Sequence, residues 1–381
     1  MSDHQPSARA GATYEAAGVS IDAGDKAVEL MKVWVEKARR PETMGGIGGF
    51  AGLFDATALK LYKHPLLATS TDGVGTKVAI AQALDVHDTI GFDLVGMLVD
   101  DLVVCGAEPL YLTDYIATGR VVPERVASIV SGIAQACVQA GCALAGGETA
   151  EHPGLLGPDE YDVAGATTGV VEASALLGPG RVLPGDVLVA MASSGLHSNG
   201  YSLVRHVLLD AEAGAGWSLE RHVDDLGRTL GEELLEPTTI YAKACLDLAR
   251  RTPVHAMSHV TGGGLAANLE RVLPDSVVAT ADRGTWTPQP VFDLVRRVGN
   301  VAEEDLERTL NCGVGMVAVL PADDVDRAVA VLAGHGVRAW VCGSVAAAPG
   351  EGARDATGSA SKHTGGHPGG TVSMVGRHPG W

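Results

Sequence analysis

The sequence predicts an α+β protein built from two mixed α/β domains. Its 381 residues suffice for two domains at about 150 residues each. Segments typical of strands and helices follow one another without the regular alternation of a doubly wound sheet. Residues 177–186 (LGPGRVLPGD) are dense in glycine and proline, which predicts a domain boundary there. Because 46% of the residues are hydrophobic and only 4% aromatic, we expect two largely aliphatic cores.

The first half contains predicted strands and helices in irregular order. A short apolar run before a glycine turn predicts a strand at Leu66–Thr71. Residues 89–105 have a helical pattern, although two glycines weaken it. Pro123 fits the first position of a helix whose apolar face continues to Gly141. Further strands are predicted at Leu110–Ala117, Cys142–Ala145 and Tyr161–Val171.

The second half repeats this mixture and ends in a polar tail. Its predicted strands are Val187–Ala192, Val254–His259, Val314–Leu320 and Val337–Val345, and its predicted helices are Tyr201–Leu209, Thr238–Arg250, Leu265–Val272 and Asp323–Ala333. Residues 346–381 are rich in Gly, Ser, Pro and His. Because such a segment buries too little apolar surface to offset its ordering entropy, we expect it to be disordered. Residues 1–12 are predicted to be a disordered lead, so the domains span 13–176 and 177–345.

Charge and cysteine usage exclude several classes of protein. A net charge of −18 argues against a nucleic-acid partner, since such binding depends on cationic contacts with phosphates. It leaves room for a nucleotide substrate, which needs only local N–H groups, one or two cations and a metal ion. The six cysteines lack zinc-site spacing and predict reduced thiols. No signal peptide or membrane span is apparent, so we expect a cytoplasmic protein that contacts no membrane.

Two glycine-rich stretches are candidate phosphate loops. The stretch STDGVGTK follows a strand, so the N–H groups around Gly73, Gly75 and Thr76 could approach a phosphate. In that reading Lys77 supplies a positive charge and Asp72 holds Mg²⁺. The alternative is an ordinary Asp-Gly turn. The second stretch, MGGIGGFAG, contains Gly45, Gly46, Gly48 and Gly49, and its alternative is a flexible linker, against which the apolar Ile47 and Phe50 argue.

Carboxylates in apolar surroundings are candidate metal ligands. Asp93 and Asp100 lie seven residues apart on nearly the same face of the predicted helix, and Asp101 follows. A buried carboxylate is costly unless it is paired or binds a metal. The alternative is that these side chains reach solvent or cap a turn. Glu148 follows a glycine pair after a predicted strand and could bind metal or orient an amide, or it could belong to a polar loop.

Two junctions in the second half are candidate sites for a substrate phosphate. In SSGLHSNGYSLVR, Ser198 or Asn199 could cap the following helix and leave N–H groups free for an anion. His197 beside them could donate to a phosphate or move a proton, although a lone histidine is more often structural. The stretch HVTGGG, residues 259–264, is a second junction of this kind.

Taken together, these motifs resemble the phosphoribosylformylglycinamidine cyclo-ligases, also called aminoimidazole ribonucleotide synthetases. The matching stretches run in family order from about residue 14 to 345 and include RRPETMGGIGGFAG, TDGVGTK, GGETAEHPG, SSGLHSNGYSLVR, VTGGG and NCGVGM. The resemblance implies that ATP drives closure of the imidazole ring of formylglycinamidine ribonucleotide. It also implies a homodimer paired through the N-terminal domains, a need for Mg²⁺ and a possible role for K⁺. Many members have Asn at the position of Asp100 and Met at that of His152.

The resemblance also implies roles for single residues. It implies that Asp72, Asp93, Asp101 and Glu148 lie near the metal and the ATP phosphates. From the resemblance together with the motifs, we predict catalytic roles for Asp72, Lys77 and His197. The ATP-binding set is Gly45, Gly46, Gly48, Gly49, Gly73, Gly75 and Thr76, in the N-terminal domain. The substrate-phosphate set is Ser198, Asn199, Gly200, Gly262, Gly263 and Gly264, in the C-terminal domain.

Several alternatives with the same fold remain open at the sequence level. Formylglycinamidine ribonucleotide synthetase usually needs a longer chain or partner subunits. Selenophosphate synthetase would carry a reactive cysteine near an N-terminal glycine loop, and no cysteine precedes Cys105 here. Thiamine monophosphate kinase is a third relative. An alternative of a different class is a noncatalytic nucleotide-binding or scaffold protein, which would be expected to lack Asp72 or Lys77, and both are present.

Overall fold

The computed structural model describes residue 13 and residues 18–46, 48–349 and 370–381. The predicted disordered lead, residues 1–12, lies outside this part of the chain. In the described residues, no helix combines the length and apolar character needed to cross a membrane.

The first half forms a four-stranded sheet with helices packed on one face. Its strand order is β3-β6-β4-β5, in which only β4 and β5 are parallel. The long helices α3 and α4 pack against each other, and α3 lies on the sheet. The elements are α1 (Ile21–Lys37), β1 (Thr43–Met44), β2 (Leu53–Phe54), β3 (Pro65–Gly73), α2 (Val78–Leu84), α3 (Ile90–Val103), β4 (Glu108–Thr118), α4 (Pro123–Ala140), β5 (Ala143–Glu151) and β6 (Tyr161–Glu172).

Glycines allow the close packing of α3. A Cβ atom on Gly91 would lie 2.1 Å from the backbone nitrogen of Ile133 in α4, and one on Gly96 would lie 2.8 Å from Thr238 Cγ2. The glycines that weakened the helical prediction therefore serve the packing of this helix, whose existence the structure confirms. Helix α4 ends at Gly141 with φ of +79°, as predicted. Helix α1 was not predicted, and β5 continues through the glycine pair expected to follow it.

The second half forms a six-stranded sheet in the order β10-β12-β7-β13-β11-β14. The mixture of helices and strands in both halves confirms the predicted α+β class. The main hydrophobic core continues across both halves, from Leu94 and Leu98 in α3 to Met191 and Met316 in this sheet. The elements are β7 (Asp186–Ala192), α5 (Tyr201–Leu208), β8 (His222–Val223), β9 (Arg228–Thr229), α6 (Leu230–Leu234), α7 (Ala242–Arg251), β10 (Ala256–His259), α8 (Gly264–Glu270), β11 (Val277–Asp282), α9 (Pro290–Gly299), α10 (Glu303–Thr309), β12 (Val314–Pro321), α11 (Val325–Gly334), β13 (Ala339–Ala347) and β14 (Thr371–Val375).

The prediction of a disordered tail was wrong for its described end. Strand β14 pairs in parallel with β11 over five residues, from Val278 opposite Thr371 to Asp282 opposite Val375. The side chain of His378 is only 1% exposed. Composition averaged over the tail concealed the alternating run TVSMV, whose Val372 and Met374 pack against the core. Residues 350–369 lie outside the described part of the chain.

Candidate active site

Three of the predicted loops meet where the two halves of the molecule join. Ser198 Oγ donates a hydrogen bond to the carbonyl oxygen of Val74 at 2.6 Å. The hydroxyl groups of Thr76 and Ser202 lie 3.2 Å apart. A Cβ atom built on Gly262 would come within 3.7 Å of Asn199 Oδ1, so the loop after β10 reaches the same place. The site is therefore a junction of loops from residues 72–77, 193–200 and 259–264.

Lys77 lies at this junction but cannot contact a phosphate in this arrangement. Its side chain is fully buried. Its ammonium group donates to Asp93 Oδ1 at 2.8 Å, to the carbonyl oxygen of His197 at 2.9 Å and to that of Glu236 at 2.6 Å. These three acceptors use all three of its donors. The structure therefore corrects the predicted role of Lys77, because the residue joins the two halves and positions the loop at His197.

Asp93 is the partner of Lys77 and not an accessible metal ligand. It is fully buried, and its Oδ1 also accepts hydrogen bonds from the backbone N–H of Thr238 at 3.0 Å and from its hydroxyl at 2.6 Å. Burial raises the pKa of Asp93 and lowers that of Lys77, while their mutual contact opposes both shifts. The second carboxylate oxygen of Asp93 has no partner among the described residues. The predicted metal role of this residue is thus not supported.

Asp100 caps a helix of the second half. Its carboxylate accepts from the backbone N–H of Tyr241 at 3.0 and 3.2 Å, immediately before α7 begins. The residue is fully buried, and this burial raises its pKa to about 7 against the opposing charge of His259. Of the alternatives left open by the sequence, capping is the one that the structure shows.

Asp72, Asp101 and His259 form an acidic group with one histidine at the junction. His259 is buried, and its Nδ1 lies 2.9 Å from Asp101 Oδ1. Burial lowers the pKa of His259, but the hydrogen bond to Asp101 and the charges of the nearby aspartates raise it on balance. Burial, followed by the charge of Asp101, raises the pKa of Asp72. Sequence reasoning did not single out His259, although its position before the TGGG turn was a usable signal.

The acidic group is compatible with Mg²⁺ only if a substrate supplies further ligands. In the described ranges, no group of three or more His, Cys, Asp or Glu side chains could hold a metal ion. Mg²⁺ is commonly bound by one or two carboxylates together with substrate phosphates and water. The charge of Asp101 contributes to the raised pKa of Asp72, so the two carboxylates are near enough to interact, which suits a cation that arrives with a nucleotide.

Glu148 does not join this group within one chain. Asp72 of β3 pairs with Gly165 of the neighbouring strand β6. Gly165 pairs in turn with Asp114 of β4, and Asp114 pairs with Gly147 of β5 at the far edge of the sheet. Three strand spacings of roughly 4.8 Å each therefore separate the strand of Asp72 from that of Glu148. Glu148 also lies next to Tyr115 in register and so takes the opposite face from Asp72. Within one chain Glu148 therefore lies apart from Asp72 and Asp101, and its metal-binding role stays a prediction.

The first glycine loop also lies at this far edge. It joins β1 to β2, and a Cβ atom on Gly52 would lie 2.3 Å from the carbonyl oxygen of Ala145 in β5. The predicted phosphate-binding glycines are exposed: Gly45, Gly46, Gly48 and Gly49. Phe50 is fully exposed as well, so the expectation that it would be buried was wrong for one chain. This loop cannot enclose a ligand together with Gly73 and Gly75 of the same chain.

His197 presents an unpartnered ring nitrogen at the junction. It has φ of +60° and is buried. Its Nε2 accepts from the backbone N–H of Ser194 at 3.2 Å, so the neutral ring carries its proton on Nδ1, which has no partner among the described residues. Burial, with the charges of His259 and Lys77, holds the pKa of His197 well below its usual range. His197 is therefore a neutral hydrogen-bond donor.

The remaining loop residues divide into packing positions and one open position. Gly200 and Gly264 have φ of +75° and +74°, and Cβ atoms there would lie 2.3 Å from Leu310 Cδ2 and 1.6 Å from the carbonyl oxygen of Glu307. Gly263, also at positive φ, precedes α8. Gly200 itself, without a side-chain cap, precedes α5, so the predicted capping by Ser198 or Asn199 was wrong. Gly262 is exposed, and a Cβ atom there would meet only Asn199 Oδ1, at an ordinary contact distance of 3.7 Å.

Comparison with known proteins gives a consistent result. Residues 54–171 and 184–356 match the N-terminal and C-terminal domain models of the AIR synthase related proteins. Phosphoribosylformylglycinamidine cyclo-ligases from Syntrophotalea carbinolica and Anaeromyxobacter sp. are 47% and 51% identical over 340 residues. These alignments cover 89% of the chain and 96% and 97% of the relatives.

Solved structures share the fold at low identity. A thiamine-monophosphate kinase from Stenotrophomonas maltophilia K279a has a TM-score of 0.63 at 18% identity, covering 92% of this chain and 96% of that one. The hydrogenase maturation protein HypE in complex with ATP has a TM-score of 0.55 at 21% identity, covering 84% and 86%. These likenesses concern the fold alone.

Proposed function

The chain belongs to the phosphoribosylformylglycinamidine cyclo-ligase family, and we propose how its residues carry out the reaction. The enzyme is an ATP-dependent ligase that closes the imidazole ring of formylglycinamidine ribonucleotide to give aminoimidazole ribonucleotide in purine biosynthesis. The observation that carries the residue assignments is the junction of three loops, with Asp72, Asp101, His197 and His259 around it.

The reaction needs a better leaving group than an amide-type oxygen. Transfer of the γ-phosphoryl group of ATP to the formyl oxygen gives an iminophosphate and ADP. The amidine nitrogen of the same molecule then attacks the formyl carbon, and phosphate departs with the former formyl oxygen. Because the attack is intramolecular, holding the substrate in a reactive conformation supplies much of the acceleration. The protein must also stabilise phosphoryl charge and exclude water.

Phosphoryl charge is handled at the end of β3. Asp72 and Asp101 would hold Mg²⁺ together with nucleotide phosphates, and the cation would neutralise charge on the transferring group. The exposed backbone around Gly75 and Thr76 lies beside these carboxylates and offers N–H groups to phosphoryl oxygens. K⁺ is a further candidate cation of the complex, without an assigned ligand set. Lys77 contacts no phosphate in this proposal. It holds the loop in place through its buried contacts with Asp93 and His197.

The two histidines differ in their pKa values: that of His197 is lowered and that of His259 is raised. His259 donates through Nδ1 to Asp101, which leaves Nε2, unpartnered among the described residues, to accept the proton released on ring closure. His197 stays neutral and donates through Nδ1 to the substrate or its phosphate. Neighbouring environments that push two pKa values apart are typical of acid and base partners. The sugar phosphate would bind next to the exposed backbone of Gly262, beside Asn199.

We assign the quaternary state from the open face of the first sheet. Helices α3 and α4 lie on one side of this sheet, while the other side exposes 65% of Leu67 and 41% of Tyr115. A second copy that covers this face would form a homodimer and bring the Glu148 side of its sheet into the interface. All six cysteines are free, which suits the cytoplasm, where thiols stay reduced.

A coupled assay of ADP release tests this proposal. The wild-type protein should release ADP with formylglycinamidine ribonucleotide and not with thiamine monophosphate. Asp72→Asn should lower turnover about 10²–10³-fold, the usual cost of removing a transition-state contact, and added magnesium should restore part of it. Asp275→Asn, which changes an exposed carboxylate away from the junction, is the matched control. ADP release that ignores the formylglycinamidine substrate would contradict the proposal.

A further inference from the structure

The C-terminal segment, residues 370–381, lies beyond the region matched by the family model, which ends at residue 356. Strand β14 extends the second sheet, and the chain then turns at Gly376, where φ is +68°. A Cβ atom on Gly376 would lie 2.3 Å from Asp282 Oδ1, so the turn is fitted closely to β11. Residues 377–381 then pass beside Trp286, which His378 contacts.

A cluster of rings follows this turn. The ring of His378 makes edge contacts with Trp286 and Trp381, with centroids 4.7 and 4.6 Å apart. The guanidinium of Arg296 lies 5.6 Å from the centre of the Trp381 ring. His378 Nε2 lies 3.3 Å from Glu307 Oε1, and Glu307 also accepts two hydrogen bonds from Arg283. His378 is therefore enclosed between two aromatic rings and an ion pair.

Trp286 connects this cluster to a strained turn. Its indole N–H donates to the carbonyl oxygen of Cys312 at 2.9 Å. Cys312 has φ of +45°, a left-handed conformation that is costly for a residue other than glycine. Such a conformation persists when surrounding contacts hold it, and the bond from Trp286 is one of these contacts. The ring packing of His378 in turn fixes the orientation of the indole.

The turn at Cys312 is bonded to the loop that begins at Ser193. Asn311 Oδ1 accepts from Ser193 Oγ at 3.0 Å and from the N–H of Gly313 at 2.8 Å. Asn311 Nδ2 donates to the carbonyl oxygen of Gly195 at 2.9 Å. The N–H of Ser193 donates to the carbonyl oxygen of Gly313 at 3.0 Å. Cys312 and Asn311, adjacent in the chain, therefore link the indole of Trp286 to the loop that carries His197.

We propose that residues 370–381 are a clamp that positions the 193–200 loop, acting through His378, Trp286 and Asn311. His378 and Trp286 act on this loop through Cys312 and Asn311, so they are positioning residues and not catalytic ones. The kinetic part of this inference rests on the proposed role of the 193–200 loop in binding the sugar phosphate. The structural part rests only on the contacts described above.

The test compares His378→Ala with Arg377→Ala in the full chain. Arg377 is the exposed neighbour of His378 and serves as the matched control. In His378→Ala, hydrogen exchange of amides in residues 193–200 and 311–315 should accelerate about fivefold, the factor expected for one lost hydrogen bond. The KM for formylglycinamidine ribonucleotide should rise by about the same factor, while the KM for ATP changes less than about twofold. His378→Phe, which keeps the ring contacts, should restore both values.

The outcomes separate the clamp from the proposed function. Unchanged exchange in both loops of His378→Ala would overturn the clamp, whatever the enzyme's activity. Equal effects of His378→Ala and Arg377→Ala, or no recovery with His378→Phe, would also overturn it. Accelerated exchange in a protein that shows no ADP release with the formylglycinamidine substrate would support the clamp and contradict the proposed function.

Discussion

At the scale of single residues, the charged side chains that the sequence singled out as candidate catalytic or metal-binding groups divide into two sets. Asp72 and Asp101 remain at the accessible junction, whereas Lys77, Asp93 and Asp100 are buried contacts between the two halves. The sequence showed that charged side chains occur in an apolar helix and therefore need partners. It could not show which partners, because Asp93 bonds to Thr238 and Asp100 to Tyr241, 145 and 141 positions away.

The buried pair of Lys77 and Asp93 should be essential for stability. Lys77→Met leaves the carboxylate of Asp93 buried without its cation, which typically costs about 3–5 kcal/mol. The double variant Lys77→Met/Asp93→Asn should recover part of that loss, because no charge is then left unpaired. Urea unfolding of the single and double variants measures this difference. A single variant as stable as the wild type would show that the ion pair does not hold the halves together.

Asp100 should make stability depend on pH. Its pKa rises from 3.8 in the unfolded chain to about 7 in the folded protein, so the folded state binds the proton more tightly. Its contribution to stability is therefore greatest below pH 4 and is lost as the pH rises through 7. Asp100→Asn removes this titration, so its melting temperature relative to the wild type should be higher at pH 8.5 than at pH 5.5. A difference that is the same at both pH values would contradict the assignment.

At the scale of elements, the strand–glycine–helix junctions were predictable and their individual glycines were not. The motifs correctly placed β7 before α5 and β10 before α8. Which glycine packs against backbone and which faces open space depends on residues from α10, far along the chain. The tail illustrates the same limit, since β14 is ordered by pairing with β11 and not by its own composition.

Gly262 and Gly264 should respond differently to the same substitution. Gly264→Ala places a Cβ atom 1.6 Å from the carbonyl oxygen of Glu307 at positive φ, so it should destabilise the protein by about 2–4 kcal/mol. Gly262→Ala meets only Asn199 at 3.7 Å and should leave stability nearly unchanged. It should nevertheless raise the KM for the sugar phosphate substrate if a phosphate approaches this backbone. Thermal melts and steady-state kinetics of both variants check the pair, and a stable Gly264→Ala enzyme would contradict this reading.

At the scale of the whole molecule, one chain does not assemble all the residues that the motifs suggested. Glu148 and the glycine loop at 45–49 lie at the far edge of the first sheet from Asp72. The joint order of the motifs nevertheless identified the family, because the match extends over most of the chain. Strand order and sheet faces depend on contacts distant in sequence, so motif spacing alone could not separate these residues.

The open face of the first sheet should mediate dimer formation. Leu67→Lys places a charge on this face and should convert the protein from a dimer to a monomer with reduced turnover. Val86→Lys, at a residue 40% exposed in a loop, is the matched control and should remain dimeric. Light scattering at micromolar concentration measures the mass of each variant. A wild-type monomer with full activity would contradict the dimer.

In the proposed mechanism, ATP phosphorylates the formyl oxygen before the ring closes. Formylglycinamidine ribonucleotide labelled with ¹⁸O in its formyl group tests this order of steps, because that oxygen is absent from the product. We predict that mass spectrometry finds one labelled oxygen in the inorganic phosphate of every turnover. Unlabelled phosphate, with the label released as water, would show that ring closure does not proceed through a phosphorylated formyl oxygen.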